Sequence, residues 1–182
     1  MQDTGIVRRM DDLGRVVIPK EIRKTLRIKE GDPLEIYTDK DLLMLKKYSP
    51  IVSVSEQAKI IADGITQITG KSCVVTDTDK VLYATQSKNK DYVSKNLSTQ
   101  LEKALFERKS ILISRADGGE LMPIYSGEEV HDIQNQIIVP IIANGDCYGA
   151  VCMFDRDKES RFNSSDVKLV QIGATFIANQ FV

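Results

Sequence analysis

Residues 4–48 read TGIVRRMDDLGRVVIPKEIRKTLRIKEGDPLEIYTDKDLLMLKKY and concentrate basic residues in a slightly acidic chain. Up to Lys29 there are eight Lys or Arg against four Asp or Glu, a balance of +4. The whole 182-residue chain carries −1, so the remainder carries −5. Charge sorted this way within a mixed polar and apolar pattern points to a folded surface for a polyanion, nucleic acid first.

Within this stretch Gly5–Met10 and Arg15–Ile18 predict two short strands rich in Val and Ile. Asp11-Asp12-Leu13-Gly14 joins them as a turn whose glycine can take positive φ. Pro19 suits the first position of a helix, and KEIRKTL places Ile22 and Leu26 on one face of it. A second hairpin is expected from Leu34–Thr38 and Leu42–Tyr48, turning at Asp39-Lys40-Asp41. A ββαββ unit this small buries too little surface to stand alone, and neither a metal-ligand cluster nor a disulfide framework is written into it. Dimerisation through its hairpins is therefore expected.

Ser49-Pro50 closes the unit. Beyond it Ile51, Val54, Ala58, Ile61, Ile65 and Ile68 repeat at 3-4 spacing, a heptad seam on a helix that Ser53 or Ser55 could cap and Gly70 ends. Val167, Val170, Ala174, Ile177 and Phe181 repeat the same spacing on a final helix with Ser164 or Ser165 as its cap. Strands at 72–76, 81–84, 111–114, 136–142 and 148–154, with a helix carrying Val93, Leu97, Leu101 and Leu105, make the region between them α+β. Two seams doubled by a two-fold axis predict a four-helix bundle. Val54, Ala58, Ile61, Ile65, Val170, Ala174, Ile177 and Phe181 are thus the expected oligomerisation residues.

The residues best placed for chemistry are basic. Lys20, Arg23, Lys24 and Arg27 stand at i, i+3, i+4 and i+7 on the short helix, and Arg8, Arg9 and Arg15 lie on or beside the preceding hairpin. Arginine grips phosphate or a guanine edge bidentately, so an Arg-rich set favours DNA recognition. The bland alternative is a solvated helical face, with Arg8 or Arg9 paired to Asp11 or Asp12.

Other chemistries find less support. Cys73, Cys147 and Cys152 lie in apolar strand contexts without a CxxC pair, and Cys147 and Cys152, five apart, should face opposite sides of a regular strand. His131, beside Glu128, Glu129 and Asp132, reads as a surface loop, because no second histidine or cysteine stands at ligand spacing. No P-loop or nucleophile motif is present, so neither catalysis nor a cofactor is expected. Met1–Thr4 opens without a basic and apolar leader, and Pro140 interrupts the longest apolar run, so a cytoplasmic chain with no membrane partner is expected.

GRVVIP followed by a basic helix, within a segment that matches from Thr4 to Tyr48, resembles the AbrB family of bacterial transition-state regulators. The resemblance implies a swapped-hairpin fold in which two chains interleave strands into one intertwined dimer barrel. It also implies DNA contacts at Arg8, Arg15, Arg23 and Lys24, the last standing where Arg is common; Lys20 and Arg27 form a second tier read from the helical face. VPIIANGDCYGAVCMF, residues 139–154, resembles the paired strands of a GAF core. The domain order is then 1–49 DNA-binding, 50–70 linker helix that also opens the second domain, and 71–182 GAF-like. The expected partners are double-stranded promoter DNA and the chain itself, as an N-terminal dimer assembled into a tetramer through the second domain. A small-molecule effector, seated among residues 82–130, is the other role open to that domain. The resemblance further implies transcriptional activation or repression of late, forespore-stage sporulation genes. Two alternatives differ in class: a MazE-like antitoxin binding DNA and a toxin, and a GAF-type thiol enzyme reducing methionine sulfoxide.

Overall fold

The computed structural model describes residues 5–85 and 91–181. Met1–Thr4 and residues 86–90, the latter within the stretch expected to line an effector pocket, lie outside them. The chain divides into two compact units, Met1–Tyr48 and Ser49–Val182.

In the first unit Lys20–Thr25 form helix α1, and β1 (Leu34–Asp39) pairs antiparallel with β2 (Leu42–Lys47). Lys40, at φ +50°, turns this hairpin between Asp39 and its partner Leu42. Pro19 caps the helix from just outside: its carbonyl accepts the N–H of Arg23 at 3.0 Å. The expected first hairpin is only partly present. Asp11 to Gly14 form the turn, closed by Asp11 N–H to the Arg15 carbonyl at 3.0 Å, but no strand is assigned among residues 5–18. The physical reason lies in what surrounds those residues. Val7 is 86% exposed and Val17 74%, so a single chain gives these segments nothing to pair with or pack on.

The second hairpin is in the same condition. Ile36 and Leu45 lie opposite one another on one face and Tyr37 and Met44 on the other, and all four are exposed. Among residues 5–48 not one Val, Ile, Leu, Met or Tyr is buried.

The second unit holds the core. A 3-10 turn, Pro50–Val54, leads into α2 (Ser55–Thr69), followed by β3 (Ser72–Thr76), β4 (Val81–Ala84), α3 (Thr99–Glu107), β5 (Ile111–Ser114), β6 (Asn135–Ala143), β7 (Asp146–Asp155) and α4 (Ser164–Ala178). The five strands form one antiparallel sheet in the order β4-β3-β7-β6-β5. Alternation along its central strands fills both faces. Cys73, Val75, Ile137, Val139, Val151 and Met153 pack with α2 and α4. Val74, Ile138, Ala150, Cys152 and Phe154 pack with Leu97, Leu101 and Leu105, the last two on α3.

Several local expectations are corrected by this packing. Most of each helical seam packs within its own chain: Val54, Ala58, Ile65, Val170, Ala174 and Ile177 are buried against the sheet, Ile61 and Phe181 are half-buried at its margin, and Ile68 is exposed. Gly173 brings the two helices together, since a Cβ there would stand 2.7 Å from Ile61 Cγ2. Asn163, not Ser164 or Ser165, caps α4, in a capping box with Asp166. α2 begins from the 3-10 turn without a side-chain cap, and Ser53 Oγ instead donates to the Pro50 carbonyl at 2.6 Å. Gly70 does end α2, at φ +71°. α3 starts only at Thr99, after Ser98 accepts the Leu101 N–H at 3.0 Å, so Val93 and Leu97 precede it.

Asn144-Gly145 forms the expected tight turn between β6 and β7, both residues at positive φ. A β-bulge follows, because Ile141 pairs with Gly149 and Ile142 with Cys147, skipping Tyr148. The extra residue restores parity between Cys147 and Cys152, which pack on the same side of the sheet and not on opposite sides.

Candidate nucleic-acid interface

The basic residues of the first unit are presented by two local elements. Arg8 and Arg9 precede the Asp11–Gly14 turn and Arg15 follows it; all three are exposed. Lys20, Arg23 and Lys24 project from α1 and are likewise exposed. Arg8, Arg9, Lys20, Arg23 and Lys24 make no side-chain hydrogen bond or ion pair to a described residue, so their charge is available to a ligand. Arg23 and Lys24 also occupy the last turn of α1, where the helix dipole favours cations.

Arg27 departs from the expected helical face. α1 ends at Thr25, and Arg27 adopts φ +54° in a left-handed cap whose neighbouring bonds run from the Arg27 N–H to the Lys24 carbonyl at 3.3 Å and from the Ile28 N–H to the Arg23 carbonyl at 2.8 Å. It is half-buried, off the stripe shared by Lys20, Arg23 and Lys24.

The acidic residues nearby are employed locally, though not as the bland reading had it. Asp11 pairs with Arg15, and neither Arg8 nor Arg9 is involved. Asp11 Oδ2 accepts from Arg15 Nε at 2.7 Å, while Oδ1 accepts the backbone N–H groups of Arg15 at 2.7 Å and Leu13 at 3.1 Å. The Arg15 backbone N–H and then its guanidinium hold the Asp11 carboxyl below its usual range. Asp32 ties the loop after α1 to the second hairpin, accepting the Lys29 N–H at 2.7 Å and pairing with Lys47 Nζ at 3.0 Å. Asp11 is a functional candidate missed in reading the sequence; the Asp-x-x-Gly-Arg turn was the signal for it.

In the second unit the cysteines are poor nucleophiles. Burial pushes the Cys73 thiol up to about 12 and raises those of Cys152 and Cys147, so none offers a thiolate near neutrality. Glu128, expected on a surface loop, is buried instead: it bonds the Tyr92 hydroxyl and accepts the Ile124 N–H at 2.5 Å. Burial raises its carboxyl, with those bonds opposing the shift. Arg156 completes the cluster, stacking 4.9 Å over the Phe154 ring and pairing with Asp132. An open cavity of about 370 Å³ lies at the sheet edge against Leu112, Ile113 and Ser114 of β5, Glu120 and Phe162. Among the described residues no group of His, Cys, Asp and Glu is gathered to hold a metal ion, and no helix is long and apolar enough to cross a membrane.

Comparison with known proteins places both units. Residues 7–53 match the family described as antidote-toxin recognition MazE, bacterial antitoxin, and residues 53–182 match stage V sporulation protein T C-terminal, transcription factor. The transition state regulatory protein AbrB of Bacillus subtilis is 48% identical over 39% of this chain and 74% of its own length. A crystal structure of a GAF domain/HD domain protein from Geobacter sulfurreducens superposes with a TM-score of 0.55, covering 70% of this chain and 91% of that one; at 13% identity the likeness concerns the fold. Stage V sporulation protein T of Bacillus subtilis is 45% identical over 99% of this chain and 98% of its own length. The chain therefore belongs to the stage V sporulation protein T family of transcription factors.

Proposed function

We propose that the chain regulates transcription by binding double-stranded promoter DNA through Arg8, Arg15, Arg23 and Lys24, with Lys20 in support and Arg27 at the margin. Two first units interleave their 5–18 segments to complete one barrel, and the targets are late, forespore-stage sporulation genes in the cytoplasm of the developing spore, activated or repressed according to promoter. One observation carries this reading: among the described residues 5–48 of the unit that holds the exposed cations, no Val, Ile, Leu, Met or Tyr side chain is buried. A second chain supplies the missing core and doubles the basic surface.

Four principal cations per chain neutralise up to ~8 phosphates per dimer, so log affinity falls with log salt at a slope of about −7. Titration of a duplex at ~50 to ~200 mM salt measures it, and affinity that does not change across that range overturns the reading. Toxin binding is the second reading, favoured by the match of residues 7–53 to the MazE description. A small protein that co-purifies in stoichiometric amount would support it.

Assembly beyond the dimer moves to a different face from the seams. Ile60 on α2 and Ile172 and Phe176 on α4 are exposed, Ile60 by 67% and Ile172 by 66%, on helices whose inner stripes are occupied by the sheet. We place a second copy of this face against it, giving a four-helix bundle and a tetramer with two DNA-binding surfaces and avidity for repeated sites. Replacing Ile60 and Ile172 with Glu is expected to convert tetramer to dimer in light scattering without lowering the melting temperature. A tetramer that survives the double substitution removes this surface from the proposal.

A further inference from the structure

We propose that Asp11 is a positioning residue for DNA binding: its carboxylate fixes the turn with one oxygen and holds the Arg15 guanidinium by its Nε with the other. The inference rests on the DNA-binding reading above and adds a residue of the opposite charge to its machinery. An exposed Asp–Arg pair four residues apart is ordinarily worth little, because two long side chains must be ordered to make it. Here half of that cost is already met. Oδ1 accepts two backbone N–H groups, Leu13 at 3.1 Å and Arg15 at 2.7 Å, and the turn is closed by Gly14 N–H to the Asp11 carbonyl at 3.1 Å with Gly14 at φ +74°. The carboxylate is therefore oriented before it meets the guanidinium, and Oδ2 receives Arg15 Nε at 2.7 Å.

The choice of nitrogen matters. A guanidinium held at Nε keeps both Nη groups, the fork that grips a phosphate or a guanine edge bidentately. Arg15 is 70% exposed along its side chain, and without Asp11 that long chain would have to be ordered by the DNA itself. The Asp11 carboxylate also neutralises part of the Arg15 charge and would repel a phosphate that Arg15 approached. Simple electrostatics and positioning thus predict opposite signs for its removal.

The test uses the full chain and a labelled duplex selected by the wild-type chain from random sequence. Asp11→Asn keeps an oxygen for the turn N–H groups and loses the charged grip on Nε. Positioning predicts affinity weaker by about fivefold or more, since two copies of the pair are lost per dimer, with an unchanged melting temperature. In an Arg15→Ala background the same substitution should leave affinity unchanged or improve it. Asp11→Glu keeps the charge but displaces the carboxylate by one methylene, and should also weaken binding. Affinity that rises in Asp11→Asn, stays at the wild-type value in Asp11→Glu, or falls equally with and without Arg15 overturns the proposal. If the wild-type chain selects no duplex at all, the DNA-binding reading fails first, which separates the two outcomes.

Discussion

Arg8→Ala, Arg15→Ala and Arg23→Ala combined are expected to cost at least ~10³-fold in DNA affinity at physiological salt and to flatten the salt slope from about −7 to about −2. Six cations vanish from a dimer that otherwise presents eight principal ones, and phosphate contacts of this kind fix a protein's register on the duplex before any base is read. The fold should not suffer. All three side chains are exposed and none is part of a core; at position 23, in the last turn of α1, the loss of a cation from the helix C-terminus is offset by the higher helix propensity of Ala. Chromatography and circular dichroism should show an intact oligomer, while a genome-wide binding map loses its sites. An intact oligomer that retains those sites would sink the assignment of this surface. The triple variant tests the surface and the Asp11 variants test how one of its residues is aimed, so the two experiments do not substitute for each other.

Much of the architecture is legible in the residues. The second hairpin, the Asn144-Gly145 turn and the Gly70 helix stop each follow from local chemistry, and the structure places them within a residue or two of where they read. The first hairpin shows the limit. Asp11-Asp12-Leu13-Gly14 makes its turn from its own atoms, but flanking Val and Ile residues report only a preference for pairing, not the chain that supplies the partner. The helical stripes fail differently. Spacing at Ala58, Ile65, Val170 and Ile177 says that these helices cover something apolar, and a sheet satisfies it as well as a second helix pair does. Ile60 and Ile172 break the repeat, which is why the outward faces escaped notice. Cys147 illustrates a third kind of miss: parity along a strand holds only while the strand is regular, and Tyr148 bulges out. Glu128 reads as one of several loop acids because its burial depends on Tyr92, a partner distant in sequence.

The bulge at Tyr148 makes the sharpest stability prediction. Gly149→Ala is expected to destabilise the second unit by about 4 kcal/mol, the range reached when backbone strain and a rigid clash coincide. Gly149 sits at φ +153°, and a Cβ built there would lie 1.9 Å from the Thr76 carbonyl oxygen and 2.9 Å from Asp77 Cα. These are backbone atoms of the neighbouring strand and cannot rotate away. Thr76 pairs with Ala150 at the end of the β3–β7 ladder, and Asp77 then closes the β3–β4 turn, accepting the Asp79 and Lys80 N–H groups at 2.7 Å each. Ser49 Oγ reaches the same Asp77 carboxylate at 3.3 Å, so the entry of the chain into the second unit is anchored where the added methyl would push. Gly70→Ala is the control, because Gly70 also has positive φ, +71°, but a Cβ there meets nothing within 4 Å. It should cost only the left-handed strain, roughly 1–2 kcal/mol. Urea unfolding of the two variants separates the contributions: a loss at Gly149 well above that at Gly70 measures the clash between strands, and equal losses would mean that β3 yields to the methyl and that the bulge can be repacked.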